Sequence, residues 1–317
     1  MEPDKKIIQW LLDGDPSIRW QTYKDLLDAD DKTVNCEREK ISKESWGAKL
    51  LSFQDDAGTW AESLYSRKWI STTYTLLLLQ SLGLLQSNKQ AIKACKLMLD
   101  KGFYSDNGIN LVKSWKRSET CITGMTLSLL CYFNLDDERI HEIIRYIENE
   151  QMEDGGWNCL SFQGATHSSF NTTIIVLEGL REYEKRFEAQ ENKVVRKQVS
   201  KVVRMQEEAR EFLLQHKLFK SHRTGEVADS KFTRLSYPPR WHYDILRALD
   251  YFRECKAGYD VRMDDAIELL KKKQNPDGTW QLQQKYPGKV WFDMEKIGKP
   301  SRWNTLRALR VLKFFNN

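Results

Sequence analysis

The sequence predicts an all-α fold of repeated helix pairs, and three observations carry that prediction. First, one seven-residue element recurs: Gln54-Asp55-Asp56-Ala57-Gly58-Thr59-Trp60, Gln151-Met152-Glu153-Asp154-Gly155-Gly156-Trp157 and Gln274-Asn275-Pro276-Asp277-Gly278-Thr279-Trp280. Each copy ends a helical pattern and precedes a polar loop and an apolar helical run. Second, 317 residues contain only 16 glycines and 7 prolines, which suits helices better than a many-turned β fold. Third, the apolar runs start near residues 17, 69, 119, 169, 240 and 302. The early spacing of about 50 residues is that of one helix pair with its loops.

The chemistry of the element fits a helix joint. Its glycine can take the left-handed conformation that stops a helix. The glutamine amide can bond free backbone groups at a neighbouring helix end, and the tryptophan lies over the joint and buries a large face.

The pattern Gln-x-x-x-Gly-x-Trp after an apolar helix resembles the QW repeat of squalene and oxidosqualene cyclases. Protein prenyltransferase β-subunits share it in looser form. As a repeat the resemblance covers nearly the whole chain. It implies an (α/α)6 toroid, with inner and outer rings of helices around a central cavity. Two motifs of those enzymes find no counterpart. The acid string Asp-x-Asp-Asp occurs as Asp28-Ala29-Asp30-Asp31, but it follows the first inner helix and reads as a cap. The zinc pair Asp-x-Cys does not occur. The nearest strings are Glu119-Thr120-Cys121 and Trp157-Asn158-Cys159, and Cys159 with His167 has no spacing typical of zinc. No metal and no cofactor are expected.

The elements follow in order. Residues 3–12 read as an outer helix with Ile7, Ile8, Leu11 and Leu12 on one stripe. Asp15-Pro16-Ser17 stops it and starts an inner helix over 18–27. Residues 37–53 are outer. Residues 69–82 are inner and apolar on nearly every face, as in a helix walled on both sides. Residues 88–99 are outer, and 104–108 form a degenerate turn without Gln or Trp. Residues 119–133 are inner, with Thr123, Gly124 and Ser128 permitting close packing. Asp136-Asp137 caps an outer helix over 138–150, and 170–183 is inner. The charge-dense stretch 184–204 reads as a solvated helical insertion, followed by an outer helix over 205–214. Residues 240–252 are inner, 263–272 outer, and 301–315 close the ring. The expectation is a single domain over 1–317.

Outer-to-inner links are long (55–68, 155–169, 219–239, 275–300), and such loops are usually functional or disordered. If the inner helices run parallel, the long loops and inner N-termini share one mouth, which favours anions. Arg67, Lys68, Lys113, Arg117, His167, Arg240 and Arg302 would lie there among Trp69, Trp241, Tyr243 and Trp303. Lining up the inner helices places Ser71, Asn171, Asp244 and Asn304 at matching first-turn positions. Asp244 is the carboxylate of that set and lies near His242. Asp244 and His242 are therefore the candidate catalytic pair, although Ser, Asn and Asp also suit plain N-caps. Arg117, Arg240 and Arg302 would hold an anion, Trp69, Trp241 and Trp303 would form the wall, and Lys68, Glu119, His167, Asn171, Tyr243 and Asn304 complete the ligand-binding set. The resemblance implies an isoprenoid-type anion and cyclase or transferase chemistry. The alternatives are a non-catalytic toroid binding a small molecule or peptide, and a sugar-processing (α/α)6 enzyme drawing on Glu62, Glu119, Asp154, Asp244, Asp293 or Glu295.

The net charge of +5 does not call for nucleic acid. The longest apolar segment, residues 76–79, is too short to span a bilayer. No signal-peptide pattern opens the sequence, and six scattered cysteines read as reduced thiols of a cytoplasmic protein.

Overall fold

A computed structural model describes residues 4–112 and 114–315; Lys113 of the expected mouth lies outside the described residues. The structure is mostly helical. In chain order the helices are α1 (Lys5–Leu12), α2 (Pro16–Asp25), α3 (Asp31–Glu39), α4 (Ser45–Ser52), α5 (Thr72–Leu82), α6 (Lys89–Gly102) and α7 (Thr120–Tyr132). There follow α8 (Arg139–Asn149), α9 (Phe170–Phe187), α10 (Lys193–Gln215), α11 (Ile245–Glu254), α12 (Asp264–Lys272) and α13 (Arg302–Phe315). Two short strands, β1 (Trp280–Gln281) and β2 (Pro300–Ser301), pair antiparallel before α13. No described helix is long and apolar enough to cross a membrane.

The chain divides into two compact units. One comprises Met1–Ser52, Ser81–Leu85 and Leu214–Asn317, and the other Phe53–Gln80 and Gln86–Leu213. Local chemistry sets the helix starts in each. Asp15 accepts from Ser17 N at 2.8 Å with Pro16 in the first turn of α2, where its missing N–H costs nothing. Asn88 caps α6 by accepting from Ala91 N at 3.0 Å. Asp30 of the Asp-x-Asp-Asp string accepts from Thr33 N at 2.8 Å, so it caps α3.

Two helices differ from the sequence reading. The outer helix expected over 37–53 is two helices, α3 and α4, with Ser45 at φ +53° breaking the run. Over 184–204 the structure has the end of α9 and the first half of α10, which continues through the expected 205–214 helix. Val195, Val202, Met205, Ala209 and Phe212 give α10 one buried stripe, and that stripe carries the helix through the charged residues.

In the second unit α7 packs along α9. A Cβ on Gly179 would stand 2.6 Å from the Gly124 carbonyl oxygen, so the two backbones touch there. In the first unit the core holds a charged network. Arg310 bonds Asp250 and lies 3.0 Å from Asp25, while Arg307 and Arg253 reach Asp250 at 3.2 and 2.9 Å. Burial pushes the Asp250 carboxyl up, but Arg310, Arg253 and Arg307 together overcome this and hold it well below the usual range.

The repeated element has one geometry in all three copies. Gly58, Gly155 and Gly278 have φ of +87°, +90° and +83°. Gln54, Gln151 and Gln274 donate to the carbonyls of those glycines at 3.0, 2.7 and 3.1 Å. The glutamine thus closes its own turn, and Gln54 also reaches the Gln90 carbonyl in the first turn of α6 at 3.1 Å. Trp60, Trp157 and Trp280 are fully buried. The indoles of Trp157 and Trp280 each donate at 2.8 Å to Ile147 and Leu270, ten residues earlier, in the last turns of α8 and α12. Their backbone N–H groups, and that of Trp60, are taken by threonines of the following helix: Thr72 at 3.0 Å, Thr173 at 3.0 Å and Thr305 at 2.9 Å. Ile109 N donates to Thr123 in the same way at 3.0 Å, which makes the degenerate turn a fourth copy with Ile in place of Trp.

Candidate functional site

The threonine bonds fix the register of the helices that follow each turn. Thr173, not Thr172, matches Thr72 and Thr305. Ser71, Thr172 and Asn304 therefore hold equivalent positions, and Asn171 sits one residue earlier, level with Trp303. Ser71 and Asn304 are fully buried, and Ser71 Oγ and Asn304 Oδ1 have no hydrogen-bond partner among the described residues.

In the first unit the N-terminal ends of α11 and α13 carry most of the expected residues. Asp244 is buried and is the N-cap of α11. Its oxygens accept from Arg247 N at 2.9 Å, Ser236 N at 3.1 Å and Ser236 Oγ at 2.6 Å. Those donors leave it a structural anchor for the 236–244 segment. The His242 ring lies between Trp241 at 3.7 Å and Tyr286 at 3.5 Å. Arg247 holds the same turn, donating to the carbonyls of His242 at 2.6 Å and Arg240 at 3.2 Å. Tyr243 donates to Leu218 O at 2.5 Å. Arg302 donates to Trp10 O at 2.9 Å and lies 4.6 Å over the Trp10 ring, so it ties α13 to α1.

A different carboxyl stands out beside Trp303. Glu295 accepts from Ser301 Oγ at 2.5 Å and from Trp303 N at 3.3 Å. Burial raises its pKa, against the opposing pull of Ser301 and nearby backbone N–H groups. The Trp303 indole stacks on Tyr237 at 4.1 Å and 15°. Trp303 Nε1 and Asn304 Oδ1 are buried with no hydrogen-bond partner among the described residues, whereas buried polar groups are normally paired. A raised carboxyl pKa widens the pH range over which the group carries a proton.

In the second unit Lys68 lies 5.8 Å over Tyr65 and 5.9 Å over Trp69. Trp69 meets Tyr74 edge-on at 4.8 Å, and Tyr74 Oη bonds Tyr65 Oη at 3.2 Å. Arg117 pairs with Glu150 at 3.3 Å and lies 4.3 Å over Phe162. His167 is exposed and half-buried Asn171 lies in the first turn of α9. Glu119, Cys121 and Cys159 converge, with their ligand atoms all within 4.8 Å of one another. The neighbouring Cys121 side chain lowers the Cys159 thiol to about 7, against burial, while Cys159 and burial raise Cys121 well above its ordinary value.

Of the sequence-derived set, Trp303 and Asn304 thus meet in one place and Glu119 in another, while Arg117 and Arg302 hold other elements. Sequence reasoning left Glu295 as one of six available carboxylates. Its burial depends on where the 275–300 loop folds, and no local pattern encodes that. A cavity of about 670 Å³ between α1 and the third repeat is lined by Ile7, Trp10, Gln274, Pro276, Thr279 and Pro300 among others. Neither Glu295 nor Asp244 lines it.

No protein-family model matches the chain, and no curated protein matches it. Among solved structures, a protein from Actinoplanes is similar at 13% identity and a TM-score of 0.44, over 96% of this chain and 91% of that one. The type II terpene cyclase MstE from Scytonema is similar at 14% identity and a TM-score of 0.34, over 84% of this chain and 94% of that one. Likenesses of this size assign neither a reaction nor a ligand to the chain.

Proposed function

We propose that the chain is an acid–base enzyme acting on an anionic, isoprenoid-type small molecule, with Glu295 as the proton donor. In this reading the helix pairs close into an (α/α)6 toroid forming one domain. The inner-helix N-termini and their basic residues receive the anionic end of the ligand. Trp303 and Tyr237 receive its apolar body, and their ring faces stabilise positive charge that develops when a proton arrives. The observation that carries the proposal is the half-buried Glu295 carboxyl, its pKa raised by partial burial, hydrogen-bonded to Trp303 N beside the stacked Trp303 and Tyr237 rings. Glu295 takes the acid role in place of Asp244, whose oxygens cap α11.

The experiment compares the wild type and Glu295→Gln with geranylgeranyl diphosphate, geranylgeraniol and squalene. Thermal shift reads binding, since a ligand of the native state raises its stability, and mass spectrometry reads products. The expected result is a shift with the diphosphate in both proteins and product from the wild type alone. Equal turnover by Glu295→Gln, or no shift with any isoprenoid, overturns the proposal. A shift with no product in either protein supports the alternative of a binding toroid without catalysis.

A further inference from the structure

A second site lies in the other unit and is independent of Glu295. We propose that Glu119, Cys121 and Cys159 form a three-ligand site for a thiophilic divalent cation of the zinc class. The donors sit on firm supports. Cys121 is in the first turn of α7, whose residues are almost all buried. Cys159 is pinned by its own N–H to Thr172 Oγ1 at 3.3 Å, and its loop by Asn158, which donates to His167 O at 2.8 Å. Outer contacts of this kind orient metal ligands.

Glu119 behaves as a ligand rather than a cap. It is the N-cap residue of α7, yet its side chain makes no capping bond. Instead it accepts from the Cys121 thiol, Sγ to Oε1 at 2.5 Å. No salt bridge to Glu119 occurs among the described residues. A half-buried carboxylate facing two thiols offers one oxygen and two sulfurs as donors.

The donor atoms span at most 4.8 Å. Tetrahedral zinc with Zn–S about 2.3 Å and Zn–O about 2.0 Å needs ligand separations of about 3.5–3.8 Å. Entry of the ion therefore requires that Cys121 Sγ step back from Glu119 and that the widest donor pair close by up to about 1 Å, as the two thiol protons leave to solvent. Two sulfurs and one carboxylate select zinc over magnesium or calcium. Three protein ligands leave a fourth position for water or another ligand, as in catalytic rather than structural zinc sites.

The test uses the full chain under reductant. Zinc content is measured by mass spectrometry after dialysis, and affinity by competition with a chromophoric chelator. Cobalt is then added as a spectroscopic probe. The expected result is one zinc per chain and a thiolate-to-cobalt charge-transfer band in the wild type. Cys121→Ser and Cys159→Ser should each weaken zinc at least about tenfold and remove the band, while Cys36→Ser, at an exposed thiol, should change neither. The cobalt band in the wild type needs no variant to fold. Its absence, zinc content no higher than in the doubly substituted chain, or a Cys121–Cys159 disulfide that survives reductant overturns the proposal.

Discussion

Ser301 Oγ donates to Glu295 Oε2 at 2.5 Å, and Ser301 Oγ itself accepts from Asn304 N at 3.0 Å. One hydroxyl thus joins a half-buried carboxyl to the first turn of α13. Burial still wins over this bond and raises the Glu295 pKa. Because the folded value lies above the ordinary 4.5, the associated stability is fully present below that value. It is lost as pH rises through the folded value. Glu295→Gln has no such loss, so its melting temperature should gain on the wild type as pH rises above the ordinary 4.5. Differential scanning fluorimetry from below that value upward checks this; a difference that does not change with pH contradicts it.

The Trp-to-Thr bond should be a stability element of the repeat. Thr173→Val keeps the shape of the side chain but leaves the buried Trp157 N–H unpaired, a loss of ~1–3 kcal/mol. Thr173→Ser keeps the hydroxyl and should retain most of the stability. Thr305→Val should behave like Thr173→Val through Trp280. Urea unfolding of the three variants decides this, and a Val variant as stable as its Ser counterpart would refute it.

Gly179→Ala should destabilise the α7–α9 contact. The added Cβ meets a backbone oxygen at 2.6 Å, so the helices must move apart, at a cost of ~1–3 kcal/mol. That exceeds the ~1 kcal/mol that alanine gains over glycine in a helix. Gly258→Ala, where nothing lies within 4 Å, should be neutral. Equal unfolding midpoints for the two variants would be the contrary result.

Asp250→Asn removes the counter-charge of Arg307 and Arg310. Breaking one side of a buried ion network costs ~3–5 kcal/mol. The folded pKa of Asp250 is depressed, so its contribution is present above the ordinary 3.8 and falls away only in stronger acid. The deficit of the variant should be full at neutral pH and shrink as pH drops below that value. Denaturant titrations at neutral and strongly acid pH measure it, and a deficit larger in acid would reverse the assignment.

The helical repeat was legible because it is written locally. Gln, Gly and Trp each have a conformational role at the joint, and the copies share their context. Helix boundaries failed where tertiary packing overrode local charge, as in α10, where a sparse stripe from Val195 to Phe212 outweighs the surrounding charges. The site was legible only as residue types. Asp244 reads as an acid because its neighbours in sequence are His242 and Arg240, whereas its bonds to Ser236, eight residues earlier, follow from how the loop folds. Glu295 and Cys159 lie in long loops, where function depends on what the loop folds against. The string Glu119-Thr120-Cys121 was visible, whereas its meeting with Cys159 depends on the packing of α7 against α9.

The protonation state of Glu295 tests the account most directly. Infrared difference spectra of protein with isotope-labelled glutamate, wild type minus Glu295→Gln, read the carbonyl band of a neutral carboxylic acid. The raised value predicts that this band loses half its intensity only above pH 4.5, where an ordinary glutamate is half ionised. Half-loss of the band at or below that pH would contradict it.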